Sequence, residues 1–364
     1  MTPDRRVERV AALRAELGAE ALAALLVAHP ANVRYLTGFS GSAGLLLVTA
    51  DAVVLVTDSR YATQAAEEAG GIARVVVAGA GLLDALLDQP EADQALAPVG
   101  FEDHVLSVRQ AARLTGTTPD GRFRRAGELV ERLRAVKAPE EIAAVAEAGR
   151  VAGEALAAVL PQIRVGQSEL HVAGVLEAAL RRSGSEEHPF PTIVASGPRT
   201  ALPHAGPSAR RIAAGEWLLL DFGAQLDGYC ADVTRTYVVG APPDGRQAEV
   251  YAVVRQAQAA ALAGLRAGMT GRAGDALARE RIAAAGLGDA FGHSLGHGLG
   301  LEVHEAPRVS RVSEEPLPAG AVVTVEPGVY LPGWGGVRIE DDVALGHEGA
   351  TLLTDIPREL VVLG

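Results

Sequence analysis

EWLLLDFGAQLDGYCADVTRTYVV, residues 216–239, sets two acids, Asp221 and Asp232, into apolar, β-rich sequence. Two runs rich in apolar and β-branched residues meet at Leu226-Asp227-Gly228, a turn signature, so the segment reads as an antiparallel hairpin. Side chains alternate along a strand. Asp221 and Asp232 therefore share a face, opposite or diagonal to each other, whether the loop is 226–227 or 227–228. Two carboxylates brought together among Leu219 and Val233 repel each other unless a positive charge lies between them. A divalent cation is the simplest such charge.

A second hairpin repeats the pattern. AVVTVEPGVY (321–330) and GGVRIEDDVAL (335–345) are β-rich runs joined by LPGWGG, and each carries one Glu, Glu326 or Glu340, inside an apolar strand. Pro327 has no N–H to give the ladder, so pairing must end or bulge at Glu326. Arg338 and Asp342 share the face of Glu340, where a cation can orient that carboxylate. Between the hairpins runs GHSLGHGLGLEVHEAPR (292–308), with His293, His297 and His304. His293 and His297 have the spacing of a helical zinc pair, but Gly292, Gly296, Gly298 and Gly300 make a helix costly, which predicts a loop pressed against the site. Four carboxylates and one imidazole form a hard, oxygen-rich donor set. It suits a pair of Mn²⁺-like or Co²⁺-like ions better than a structural zinc.

Taken singly, each acid has an ordinary explanation: a turn former beside Gly228, or a strand end in solvent at Pro327. Taken together they do not, because several strands would each have to bury a charge without a partner.

The order of these residues is that of a known family. An Asp, a second Asp eleven positions on, then HGxG with HExP, VEPG and RIED resembles the metallopeptidases of the pita-bread fold, and among them the Xaa-Pro peptidases, aminopeptidase P and prolidase. NVRYLTGFSGS (32–42) resembles the N-terminal domain of the same enzymes, so the likeness spans essentially the whole chain. Methionine aminopeptidases share the GHGLG and HExP elements but lack that domain and the RIED-type ending. The resemblance implies an α+β protein: a C-terminal pita-bread (creatinase/aminopeptidase) domain over 131–364 behind a smaller N-terminal α/β domain over 1–130.

It also implies roles. Asp221, Asp232, His297, Glu326 and Glu340 bind two divalent ions, Mn²⁺ foremost, with Co²⁺ or Zn²⁺ as alternatives. Asp232 and Glu340 bridge the ions, and Glu326 also shuttles a proton to the leaving proline nitrogen. His293 and His304 contact the substrate and the developing oxyanion, and His204, in ALPHAG, is a further substrate-side histidine. The expected activity is hydrolysis of the Xaa-Pro bond at the N-terminus of proline-containing peptides, aminopeptidase P type. The alternative is a dipeptidase (prolidase), which must cap the substrate's free carboxylate with a cation. Arg308, in HEAPRVS, is the candidate cap; Arg338 is the other substrate-side arginine. A metal-free binding module and a creatinase-like hydrolase share the fold, but neither normally keeps all five ligands. The family also implies a homodimer.

Composition agrees. A chain of 364 residues, 48% apolar, is long for one core, and two domains are expected. The net charge of −12 argues against nucleic acid. The single cysteine, Cys230, offers neither a disulfide framework nor a thiolate site, and reads as a small packed residue. No apolar run reaches the length of a membrane span, and MTPDRRVERV reads as a charged helical start and not a signal peptide, which makes the cytoplasm the default.

Along the chain, RRVERVAALRAELG reads as an amphipathic helix, ALAALLVA as a buried strand, GLLLVTADAVVLVT as a hairpin about Asp51, and ARVVVAG as a further strand. A long helix is predicted from Pro139, which suits a first helical position with Glu140 and Glu141 in the first turn. Residues 150–184 align without gaps to 252–286. In each copy a helix ends in a Gly (Gly166, Gly268), a capping Ser168 or Thr270 follows, and a second helix runs to another Gly. Each copy then leads into a hairpin carrying two acids. Two such units facing each other would bring four acids to one seam.

Overall fold

The computed structural model describes residues 5–93, 98–116 and 122–364; residues 1–4 of the charged N-terminal run lie outside that range. It divides into two compact units, Met1–Arg134 and Ala135–Gly364. The division falls past the expected 130/131 boundary because Leu129–Arg134 is a helix packed against Arg5–Ala19, with Leu129 and Val130 buried.

The first unit is built on a six-stranded sheet in the order Arg74–Ala78, Val53–Asp58, Gly44–Thr49, Ala24–Val27, Val99–Phe101, Phe123–Arg125. Gly44–Thr49 and Val53–Asp58 form the predicted hairpin, and the Thr49 hydroxyl accepts the N–H groups of Asp51 and Ala52 at its tip. All four residues of Ala24–Val27 are buried, as a continuous apolar run requires.

The second unit is two copies of one arrangement. Helices Pro139–Val159 and Glu169–Arg182 make the first pair, Gly245–Gly264 and Gly271–Ala284 the second. Ser168 and Thr270 cap the second helix of each pair, accepting from the backbone N–H of His171 and of Ala273. Gly166 and Gly268 precede those caps with φ of 86° and 85°, a conformation that Gly adopts without penalty. Pro139 opens its helix, and the Glu141 carboxylate accepts the Ala138 N–H at 2.9 Å.

Each pair covers its own core. The first joins Val151, Leu156 and Leu176 to Leu218, Leu220 and Val233; the second joins Val254, Ala261 and Ile282 to Val323, Val337 and Val343. The strands of this unit form two larger sheets. One has the order Val362–Leu363, Val233–Val239, Glu216–Phe222, Ile193–Ser196. The other has the order Glu305–Val309, Gly296–Gly298, Val322–Val325, Asp341–Leu345, Ala350–Leu352. The first sheet is hydrogen-bonded to the strand Gly335–Arg338 and the residues just after it: the Glu340 N–H donates to the Thr234 carbonyl at 3.1 Å, and the Arg338 N–H to the Thr236 hydroxyl at 3.2 Å.

Candidate metal centre

The first hairpin turns at Asp227-Gly228, both with positive φ (49° and 80°), the geometry that a two-residue loop needs to match strand twist. Asp221 pairs with Thr234, which puts Asp232 on its diagonal and on its face. In the second hairpin Val325 pairs with Asp341 and Gly328 with Arg338, so the register carries Glu326 opposite Glu340. Both glutamates sit where the ladder breaks. Pro327 supplies no N–H there, and the Glu326 N–H turns away to the Leu295 carbonyl at 2.9 Å.

His297 lies on a three-residue strand, Gly296–Gly298, where a loop was expected. The flanking glycines serve close approach. A Cβ at Gly296 would stand 1.9 Å from the Thr324 carbonyl oxygen, and one at Gly298 2.1 Å from that of Ala306. Only a strand without side chains at those positions fits into the sheet.

Among the described residues, Asp232, His297 and Glu340 each offer a ligand atom, and all three atoms lie within 4.8 Å of one another. Glu326 Oε1 is 3.5 Å and Asp232 Oδ2 3.8 Å from His297 Nε2. His297 Nδ1 donates to the Gly298 carbonyl at 3.0 Å, which fixes the tautomer and leaves Nε2 bare toward the acids. Asp221 is held by Arg338 Nη2, and the Arg338 Nε sends a hydrogen bond of 2.9 Å to the Thr234 hydroxyl, which donates to Glu340 Oε2 at 2.5 Å. Arg338 thus serves two acids, Asp221 directly and Glu340 through Thr234. It is buried, and its remaining Nη1 goes to the Tyr330 hydroxyl at 2.8 Å and the Pro203 carbonyl at 3.5 Å. Four of its five N–H donors are thus spent within the protein.

The electrostatics are those of crowded, dehydrated acids. Burial, then Glu340, holds the carboxyls of Asp232 and Glu326 well above the usual range, and burial raises Asp221 against the pull of Arg338. Glu340 is pushed from 4.5 up to about 7 by burial and then Asp221. Burial presses His297 and His293 down to about 4, so both are neutral at pH 7. Asp221 Oδ1 and Asp232 Oδ1 are buried with no hydrogen-bond partner among the described residues. Orphaned carboxylate oxygens beside a bare imidazole nitrogen are what hard divalent cations would satisfy. Cys230 takes no part: it is buried, its thiol pushed up to about 12 by burial.

A carboxyl raised by folding makes the folded state lose stability as pH climbs from its unfolded to its folded pKa. For Glu340 that window is 4.5 to about 7, a loss of about 3 kcal/mol when no metal is bound. In chelated protein Glu340→Gln should therefore raise Tm at pH 8 by about 5–10 °C and change it little at pH 4.5. The comparison cancels the opposite contribution of the two histidines. With metal present the order should invert. A chelated variant that melts below wild type at pH 8 would contradict the repulsion.

The remaining histidines surround this group. His304 is exposed, its ring centroid 4.3 Å from that of His297. His293 donates from Nδ1 to the Ser294 carbonyl at 2.8 Å, so its Nε2 accepts from the Tyr330 hydroxyl at 2.9 Å. Its Nδ1 is also 3.8 Å from Glu326 Oε2. His204 is exposed and within electrostatic reach of Asp221, His293 and His304. Arg308 is exposed and pairs directly with His297, hence on the same face.

Several residues of the site went unread in the sequence: Thr234, Thr324, Tyr330 and the anchoring role of Asp342, which accepts the Asp232 N–H at 3.0 Å. The Thr324 hydroxyl accepts the His297 N–H at 3.1 Å and reaches Glu326 at 3.4 Å. A signal was present, since Thr234 and Thr324 are polar residues in the middle of apolar strands and are fully buried.

Known proteins resemble this chain in sequence and fold. Residues 143–347 match the model of metallopeptidase family M24, and residues 9–136 that of the creatinase/prolidase N-terminal domain. A Xaa-Pro dipeptidase of Pyrococcus furiosus is 37% identical over 338 residues, 93% of this chain and 94% of that one. Among solved structures, a Xaa-Pro dipeptidase from Bacillus anthracis superposes with a TM-score of 0.93 at 38% identity, covering 98% of this chain and 100% of the other. An X-Pro aminopeptidase from Thermotoga maritima superposes with a TM-score of 0.90 at 37% identity, covering 97% and 99%. With its acids paired across two hairpins, its bare imidazole nitrogen and a creatinase/prolidase N-terminal domain ahead of them, the chain belongs to metallopeptidase family M24.

Proposed function

We propose that this peptidase is a Xaa-Pro dipeptidase. The observation that carries the proposal is Arg308: an exposed guanidinium on the strand beside His297 and on its face, with no hydrogen bond or ion pair of its side chain among the described residues. A dipeptide bound with its scissile carbonyl at the acids leaves its carboxylate one residue away, where a bidentate cation is needed. The sequence alone favoured the aminopeptidase P type. The names of its relatives support the dipeptidase side more, although an X-Pro aminopeptidase stands among them.

Divalent ions, when bound by Asp221, Asp232, His297, Glu326 and Glu340, would supply Lewis-acid polarisation of the carbonyl and a water activated near neutral pH. We take manganese as the metal to test first, on the hardness of the donor set. The chain's own groups do the rest. Glu326, its Oε1 3.5 Å from His297 Nε2, is placed to carry a proton to the proline nitrogen as the bond breaks. His304, exposed beside His297, is placed to donate to the oxyanion, and His204 lines the same mouth.

The test compares kcat/KM on a Xaa-Pro dipeptide with that on Xaa-Pro-Xaa and longer peptides. The dipeptide should be preferred, and Arg308→Ala should raise its KM about 10–100-fold, the worth of a charge-assisted hydrogen bond. Preference for the longer peptides, with no effect of Arg308→Ala, would replace the proposal with an aminopeptidase.

A further inference from the structure

Lys137 is the one lysine among the chain's 33 Lys and Arg residues. Its side chain is 1% exposed and donates from Nζ to Glu305 Oε2 at 2.9 Å; the Glu305 side chain is 5% exposed. Burying two charges costs several kcal/mol each, so such a pair adds little net stability; its best-attested use is to fix a register.

There is a register here to fix. The strand Glu305–Val309 pairs Val309 with Gly296 and Arg308 with His297, then jumps so that Glu305 meets Gly298. Two residues bulge out between, and glycines on the partner strand specify such pairing weakly. Glu305 closes the turn before this strand, its Oε1 accepting the Glu302 N–H at 3.0 Å. A Cβ at Gly300 would stand 2.7 Å from Glu305 Oε2, so glycine leaves the carboxylate its space. Lys137 is anchored from the other side. Its N–H donates to the Gly320 carbonyl at 2.9 Å, and the Gly320 N–H donates to that of Leu345 at 2.8 Å, at the end of the strand that follows Glu340.

We propose that Lys137 and Glu305 are positioning residues: their buried ion pair holds the 300–305 turn in the register that sets His304 and Arg308 beside His297. The proposal rests on His304 and Arg308 being substrate-side groups, as in the dipeptidase reading. Every other basic residue in the chain is Arg. A compact ammonium fits this enclosed position; a guanidinium would bring five donors and leave some unsatisfied.

The experiment uses the double variant Lys137→Met/Glu305→Gln, which removes both charges and roughly keeps their volume, so the fold should survive. Its metal content should stay at the wild-type value. On whichever Xaa-Pro peptide wild type cleaves fastest, kcat/KM should fall about 10²-fold, the scale of an ångström of misplacement, through a higher KM from Arg308 and a lower kcat from His304. Amide hydrogen exchange in residues 299–309 should quicken about 10-fold, while Val322–Val325 and Asp341–Leu345 stay protected. Lys137→Arg should fail to restore either readout. Unchanged exchange at 299–309, or faster exchange with wild-type kinetics, overturns the proposal. A wild-type enzyme that cleaves no Xaa-Pro dipeptide sinks the dipeptidase reading instead, and the exchange measurement still decides whether the pair holds the turn.

Discussion

Asp232→Asn is expected to bind at least one metal ion fewer than wild type and to lose about 10³-fold or more in kcat/KM, beyond the range for removing a single oxyanion donor. Asp232 Oδ1 is buried with no partner among the described residues, and His297 Nε2 lies 3.8 Å from Oδ2. The side chain therefore spends its charge on nothing else within the protein. Its backbone N–H is held by Asp342, so the substitution changes the donor set without releasing the strand. Glu340→Gln should act likewise, because Thr234 can still donate to the amide oxygen while the negative charge is gone. Elemental analysis after dialysis checks both. A full metal complement in either variant would remove that residue from the ligand set.

His304→Ala should do the reverse: keep both metals and lose about 10²–10³-fold in kcat, the scale of one oxyanion or acid–base group. The His304 ring lies tilted against that of His297 and shares no hydrogen bond with any of the acids, so its loss leaves the ligands where they are. His293→Ala should also keep the metals. It breaks the chain in which Arg338 donates to the Tyr330 hydroxyl and Tyr330 donates to His293. That chain begins at the guanidinium holding Asp221, so a loss of activity with intact metal content places His293 behind the ligands and not among them. Loss of both metals in either variant would refute the assignment.

How far the chain could be read follows from where each signal lies. The hairpins were legible because Asp227-Gly228 names its own turn and side chains alternate with period two; register then followed by arithmetic. The acids were legible because a charge in an apolar strand has few reasons to be there. The helix pairs showed themselves through capping residues repeated 102 positions apart, Ser168 and Thr270. His297 was misread as a loop residue, since glycine normally discourages a strand. What demands glycine at Gly296 and Gly298 is the approach of the Thr324 and Ala306 carbonyls, which is tertiary and leaves no local trace. The same holds for Arg338. Sequence spacing tied it to Glu340, which its Nε does reach at 3.8 Å, but left unread that its guanidinium also grips Asp221, 117 residues away. Arg308 was recognised as a cation, but its place opposite His297 depends on a bulged pairing that no pattern announces.

The two hairpins and His297 are expected to hold two divalent ions together for cleavage of a Xaa-Pro bond. The most direct measurement titrates Mn²⁺ into chelated protein at known concentration and follows hydrolysis of a Xaa-Pro dipeptide beside metal bound per chain. Activity should be absent without metal, stay low at one equivalent, and reach its plateau at two. Full activity in chelated protein, or a plateau at one bound ion per chain, would contradict it.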